Sequence, residues 1–239
     1  MRRSLLALGA AGILSGCASS SSGPPPTIQT GPDAEVTVDG LYRVDNSVMQ
    51  IGYMKPDWDL QHYTAVMIDP VTVAYKSDPG NRRRDPGVGI SSQNFALSDT
   101  QMENFKSMFQ QAVEDALTDD DGYRIVETPG PDVLRVTAEL MDLIIAVPTQ
   151  ESGVNVDRFA RSAGAVTLIL EVYDSQSGEI IARAADRRDP SASGSGGMVR
   201  VSPQAVRADM RRLFESWAEV LRNRLDDLRT IEIEPDPAQ

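Results

Sequence analysis

Cys17 is the residue whose chemistry is most easily assigned from the sequence. It is the only cysteine, and its thiol is a nucleophile that can accept a diacylglyceryl group. It follows Leu14, Ser15 and Gly16, and this order of one aliphatic and two small residues is typical of a bacterial lipobox. The pattern predicts cleavage before Cys17 and lipidation of the new N-terminus, where several acyl chains would bind a membrane far more firmly than one.

The segment before Cys17 is organised like a signal peptide, predicted over residues 1–16. Arg2 and Arg3 form a positive start, and an apolar run of ten residues extends from Leu5 to Leu14. Such a run is too short to span a bilayer, which needs about 20 residues, but it fits a secretory signal. A plain signal peptide with an incidental cysteine stays open as an alternative.

The residues after Cys17 bear on the target membrane. In bacterial lipoproteins an aspartate directly after the cysteine usually means retention in the inner membrane. Ala18 and Ser19 stand here instead. The sequence therefore predicts a protein that is lipid-anchored at the periplasmic face of the outer membrane.

Other candidates for catalysis or metal binding are weak. His62 is the only histidine, and no Gly-x-Ser-x-Gly motif accompanies it, so Ser-His-Asp catalysis is not indicated. Asp119–Gly122 resembles part of a calcium loop, but Leu117 and Thr128 stand where acids are required. A helix end is favoured there, although a weakly held cation stays open. Gly194–Gly197 lacks the Lys-Ser/Thr of a phosphate loop. We predict no catalytic residue, no metal and no cofactor.

Arg82, Arg83 and Arg84 form the one basic cluster of an acidic chain. They fall in a predicted loop, where binding residues often lie. They could bind phosphate on lipopolysaccharide or an acidic partner, although a solvated loop is the simpler interpretation. Asp186–Asp189, with two arginines between two acids, is interpreted as ion pairing at a strand end.

The overall charge excludes nucleic acid as a partner. The formal net charge is −12, and loss of Arg2 and Arg3 with the signal peptide would make it −14. Binding to DNA or RNA depends on neutralising phosphates, which such a chain cannot do. Anionic lipid should also repel it weakly, so acyl chains must provide the membrane attachment.

Composition divides the mature chain into three parts. Residues 17–38 are rich in Ser, Gly and Pro and are predicted to form a lipid-anchored tether, because they cannot bury enough apolar surface to fold. Residues 39–229 are predicted to form one folded domain. Residues 230–239 are acidic and interrupted by proline, which predicts a disordered tail.

Two amphipathic helices are predicted. Ser98 and Gln101 form a capping box that starts the first, and Gly122 ends it. Ser202 caps the second, with Pro203 in its first turn. Apolar residues at helical spacing predict the buried stripes: Met102, Phe105, Phe109, Ala112, Val113, Ala116 and Leu117 in the first helix, and Val206, Met210, Leu213, Trp217, Val220, Leu221, Leu225 and Leu228 in the second.

Alternating or β-branched segments predict the strands. A hairpin is expected around Asp45–Ser47, and Pro70 suggests a bulge or an edge position within its strand. Residues 189–201 are expected to be a Gly/Ser loop. Because several strands follow one another directly, we predict a single α+β domain with a mostly antiparallel sheet of about five strands packed against two helices. The principal predicted strands are Val66–Tyr75, Tyr123–Glu127, Val133–Val147, Ala165–Tyr173 and Glu179–Arg187.

Three segments also allow a comparison with a known family: Tyr63–Val71, Arg161–Leu168 and Asp174–Arg188. In this order they resemble blocks of a family of bacterial lipoproteins known only as a domain of unknown function. The resemblance covers roughly residues 39–229. It implies an envelope lipoprotein with no assigned activity, and it supplies no catalytic residues. The layout of strands and helices is also similar to accessory lipoproteins of envelope machines, at the level of fold alone.

Two functions are consistent with these observations. The first is a non-catalytic envelope lipoprotein that acts as an accessory or structural partner of an envelope assembly. The alternative is a periplasmic ligand-binding protein or hydrolase that uses carboxylates such as Glu139 or Glu171. Two acids converging in a concave site would favour the alternative, and a sheet face sealed by both helices would count against it.

Overall fold

A computed structural model describes residues 24–56, 58–76, 96–145, 158–160, 164–189 and 199–230. At 158–160, 199–201 and 228–230 it describes the backbone alone. Cys17 and Arg82–Arg84 lie outside the described residues, as do the predicted signal peptide, residues 17–23 of the predicted tether and all but the first residue of the predicted tail.

The described residues form one sheet of nine strands, a separate strand pair and two helices. The strand order is β1-β2-β3-β10-β9-β7-β4-β6, and β5 pairs with β7 beyond the end of β4. The elements are β1 Thr27–Ile28, β2 Tyr42–Asp45, β3 Ile51–Met54, β4 Ala65–Ile68, β5 Thr72–Tyr75, α1 Asp99–Thr118, β6 Arg124–Ile125, β7 Val133–Ile145, β8 Arg158–Ala160, β9 Gly164–Asp174, β10 Ile180–Arg188, β11 Val199–Val201 and α2 Pro203–Thr230.

The predicted fold class is confirmed: a single α+β domain has a mixed, mostly antiparallel sheet and two helices. The sheet contains more than the expected five strands. The parallel pairs are β4 with β6, β4 with β7 and β5 with β7. They arise because the chain crosses through α1 between β5 and β6, and such a crossover brings it back in the same direction.

Pro70 divides the predicted strand Val66–Tyr75 into two. β4 ends at Ile68 and β5 begins at Thr72, and both pair with β7, at Val133–Val136 and from Glu139 onward respectively. Proline has no N–H to continue a ladder, so the chain leaves the sheet at this point and rejoins it.

The centre of the sheet follows the alternation in the sequence. β7, β9 and β10 are antiparallel, and the side chains at every second position of β7 and β9 are buried beneath the helices. A shift in register follows Met141, where Asp142 adopts a positive φ of 52°. The buried residues predicted to face inward are Leu134, Val136, Ala138, Leu140, Val166, Leu168, Leu170 and Val172.

Both helices pack on this buried face. The capping box of Ser98 and Gln101 at the start of α1 is confirmed. Phe214 of α2, which was not placed in the predicted stripe, is fully buried, and its ring centroid lies 5.2 Å from those of Phe105 and Phe109. Neither described helix is long and apolar enough to cross a membrane.

One prediction for the region before α2 was wrong. Residues 189–201 were expected to be a loop throughout, but Val199–Val201 forms β11, which pairs antiparallel with β8. The two segments lie 39 or more residues apart along the chain, and no local pattern indicates such a pairing.

Candidate functional site

The sheet surface opposite the helices, here called the open face, carries Glu139 and Glu171, the two acids considered for catalysis. Glu171 accepts a hydrogen bond of 2.6 Å from Arg183 Nε, and Arg183 Nη2 also donates to Asp39 at 2.8 Å. Tyr173 donates its hydroxyl to Glu171 as well. Burial, together with this bond, raises the pKa of Tyr173 to about 12. Glu171 is therefore held as the acceptor in a polar network.

Glu139 does not join this network. It lies opposite Ile169 in the ladder, whereas Glu171 lies opposite Thr137, so the two acids are diagonal neighbours on a sheet face. Their Cβ atoms are then separated by roughly 7 Å. The sheet beneath them is sealed from the other side by both helices, and the groove described below lies between those helices. Neither acid is among the described residues that line that groove.

The arginines of the described open face all have partners. Arg135 donates from Nε to both carboxylate oxygens of Asp69, at 3.0 and 3.1 Å. Arg187 donates to Thr167 at 3.0 Å and lies 3.6 Å from Asp142. These contacts connect neighbouring strands, and at a half-exposed surface each contributes little net stability.

Tyr63, at the start of the first family-like segment, joins a buried polar cluster. Its hydroxyl donates to Asp174 Oδ2 at 2.8 Å and accepts from Trp58 Nε1 at 3.2 Å. Burial, followed by the bond to Asp174, raises the pKa of Tyr63. Burial acts against ionisation of Asp174, but the bonds from Ser177 and Tyr63 hold the pKa of Asp174 below its usual value. The cluster connects the turn after β9 to the segment before β4 by hydrogen bonds.

His62 lies beside this cluster and is exposed. Its ring centroid is 4.0 Å from that of Tyr63. Within the described residues, no group of three or more His, Cys, Asp or Glu side chains is placed to hold a metal ion.

Asp186 is the buried charged side chain of the described domain, with 3 % of its surface exposed. Its Oδ2 accepts from Trp217 Nε1 at 2.8 Å and from Arg188 Nε at 2.6 Å, and its Oδ1 accepts from the N–H of Gln50 at 3.3 Å. The carboxylate therefore connects α2, β10 and the residue before β3. The sequence predicted ion pairing at this strand end, and Asp186 does pair with Arg188. It did not predict the burial of Asp186, which its inward position in the alternation of β10 could have indicated.

Asp119–Gly122 follows the end of α1, and the positively charged guanidinium of Arg222 lies against this end of the helix. Arg222 Nη1 donates to the carbonyl oxygens of Ala116, Leu117 and Asp119 at 3.2, 3.1 and 2.7 Å. A Cβ at Gly122 would lie 2.1 Å from the Leu117 oxygen and 2.3 Å from Arg222 Nη1. The guanidinium thus satisfies the last carbonyl groups of α1 and offsets the negative end of the helix dipole. A bound metal cation at this position would do the same.

A groove of about 1100 Å³ runs between the exposed sides of α1 and α2. The helices run in the same direction, because Phe105 and Phe109 contact Phe214 while the end of α1 contacts Arg222. Apolar side chains form much of the groove wall, including Met108, Ala112, Val206 and Met210. Four charged residues of α2 also line it: Arg207, Arg211, Glu215 and Glu219.

The segments that resemble the family therefore contribute hydrogen bonds that connect separate parts of the domain, through Tyr63, Asp174 and Asp186. The model of a family described as "Protein of unknown function (DUF3313)" matches residues 39–221. The chain belongs to this family. The expected membership in a family of unknown function is confirmed. Among curated proteins, no relative matches.

Several solved structures are similar to the DUF3313 chain. A PelC dodecamer from Paraburkholderia phytofirmans matches with 11 % identity and a TM-score of 0.35, covering 72 % of this chain and 95 % of that one. A Xanthomonas campestris protein of the DUF330 family model matches with 13 % identity and a TM-score of 0.39, covering 73 % and 93 %. A homologue of neuraminyllactose-binding hemagglutinin from Helicobacter pylori matches with 14 % identity and a TM-score of 0.37, covering 72 % and 92 %.

Proposed function

We propose that this DUF3313 protein is a non-catalytic lipoprotein of the cell envelope, anchored through Cys17 at the periplasmic face of the outer membrane, and an accessory or structural partner of an envelope assembly. The observation that carries the proposal is Leu14-Ser15-Gly16-Cys17 at the end of a signal-like apolar run. Acyl chains on Cys17 hold an acidic domain at a membrane that it would not otherwise approach.

The arrangement of acids supports the non-catalytic part of the proposal. Hydrolysis by two carboxylates needs both at one reacting group in a site that restricts water. Glu171 is hydrogen-bonded to Arg183 and Tyr173, and neither Glu171 nor Glu139 is among the described residues that line the groove between the helices.

The outer-membrane location is tested at position 18. Replacing Ala18 with Asp is expected to move most of the full-length chain from outer-membrane to inner-membrane density, with acylation unchanged, because an aspartate after the lipidated cysteine marks retention. Sucrose-gradient fractionation followed by immunoblotting measures the distribution. Ala18→Ser is the matched control and should stay at outer-membrane density. Wild-type protein at inner-membrane density, or an Ala18→Asp variant distributed like wild type, would contradict the location.

The proposed partner contact lies at Arg82, Arg83 and Arg84. Replacing all three with Ser is expected to reduce crosslinking of the chain to its envelope partner about tenfold, because loss of charge contacts weakens association. The measurement is crosslinking in intact cells followed by quantitative mass spectrometry. The control triple variant Lys106→Ser, Arg124→Ser and Arg224→Ser removes as many charges elsewhere. Equal losses in both variants would mean that Arg82–Arg84 have no specific role.

A further inference from the structure

The groove between α1 and α2 carries a row of four exposed charges, which we call the α2 stripe: Arg207, Arg211, Glu215 and Glu219. They recur every four residues, so they lie one above another along a single side of the helix. No side chain of the α2 stripe has a hydrogen-bond or ion-pair partner among the described residues. In this they differ from the arginines of the open face, each of which is paired.

The order of charges in the α2 stripe is two positive and then two negative. Neighbouring like charges four residues apart, as in Arg207 with Arg211 and Glu215 with Glu219, destabilise an isolated helix. On α1, Asp115 adds a further acid at the negative end of the groove. Among the described lining residues, the opposite end, near Gln101 and Asn104 of α1, has no acid to balance the arginines.

We infer that the occupant of this groove is a second copy of the same chain, related by a two-fold axis that passes between Arg211 and Glu215. An antiparallel copy presents the stripe in reverse order, so Arg207 of each copy faces Glu219 of the other, and Arg211 faces Glu215. A two-fold interface must be self-complementary, and this order of charges has that property. The stripe spans about 18 Å along the helix.

The apolar part of the groove lies beside the α2 stripe and would add to the contact between the two copies. Val206 and Met108 are half-buried, and Met210 is almost fully buried beneath them. The apolar side of each α2 is already buried against its own sheet, so the contact between copies would come from the paired stripe charges together with the half-buried Val206 and Met108. The net charge of −12 opposes association of two copies at long range. At physiological salt this repulsion is screened within about 8 Å, whereas charges in direct contact are screened much less. The inference does not depend on the lipid anchor.

Charge-reversal variants distinguish the effect of the charge order in the α2 stripe on association from the effect of the net charge of the chain. The variant R207E/R211E makes all four stripe charges negative, and E215R/E219R makes all four positive. Each variant alone should repel its own copy, whereas the two together should pair. The fourfold variant R207E/R211E/E215R/E219R restores a self-complementary order with the original net charge, and it is the matched control. All four positions are exposed, so folding should be unchanged, which far-UV circular dichroism checks.

The readout is copurification of two differently tagged full-length chains, co-expressed and extracted in mild detergent. Recovery is expected to fall to about one tenth of wild type or less for each double variant alone. It should return for the mixed pair and for the fourfold variant. If E215R/E219R associates more strongly than wild type, net charge controls association and the inference is overturned. A monomeric wild-type chain, or recovery unchanged in both double variants, also overturns it.

Discussion

Replacement of Asp186 with alanine is expected to lower the free energy of unfolding by about 1–3 kcal/mol, the cost of leaving a buried donor without its acceptor. Asp186 is 3 % exposed and accepts hydrogen bonds from Trp217, Arg188 and the N–H of Gln50. Its loss leaves the N–H of Trp217, a residue 2 % exposed, without an acceptor in the core. Urea-induced unfolding followed by far-UV circular dichroism measures the change.

Two further variants separate the contribution of the buried position of Asp186 to stability from that of its charge. Asp186→Asn keeps the shape and some of the hydrogen bonds, so its loss should be smaller than that of the alanine variant. Asp142→Asn removes a half-exposed charge that lies 3.6 Å from Arg187, next to Arg188 in the same strand. It should cost less than about 1 kcal/mol, as exposed ion pairs usually do. If Asp186→Ala cost no more than Asp142→Asn, the carboxylate would not be the connection between α2 and the sheet that we describe.

The sequence predicted those parts of the fold that local patterns determine. The capping box at Ser98 and the helical spacing from Met102 to Leu117 located α1, because both signals act within a few residues. Alternation predicted the buried sides of β7 and β9 for the same reason. Contacts between segments distant in the chain were missed. The pairing of β8 with β11 and the parallel pairing of β4 and β5 with β7 depend on where the chain returns after loops and a helix.

The candidate sites also differ in whether a local sequence pattern or contacts between distant segments determine them. A lipobox is readable because a peptidase and a transferase recognise a short continuous segment that ends at Cys17. The α2 stripe was overlooked because the significance of Arg207 and Glu219 depends on their lying beside α1 in a groove and lacking partners. The role of Asp186 as an acceptor for Trp217 was missed because Trp217 lies 31 residues away.

Replacement of Cys17 with serine is expected to abolish acylation of the full-length chain. A hydroxyl is a far weaker nucleophile than a thiolate, and the chain contains no other cysteine that could take its place. Conservative changes elsewhere in the leader, such as Ser15→Ala, keep a small residue before Cys17 and should preserve both acylation and cleavage. This control separates loss of the acceptor sulfur from a general effect on export.

The most direct measurement is metabolic labelling of cells with an alkyne-bearing fatty acid, followed by immunoprecipitation of the chain, attachment of a fluorophore and mass analysis of the N-terminal peptide. We predict strong label on wild type and on Ser15→Ala, a mature chain beginning at an acylated Cys17, and no label on Cys17→Ser. Equal labelling of Cys17→Ser, or wild-type protein that keeps residues 1–16 and stays in the cytosol, would contradict the proposed anchor.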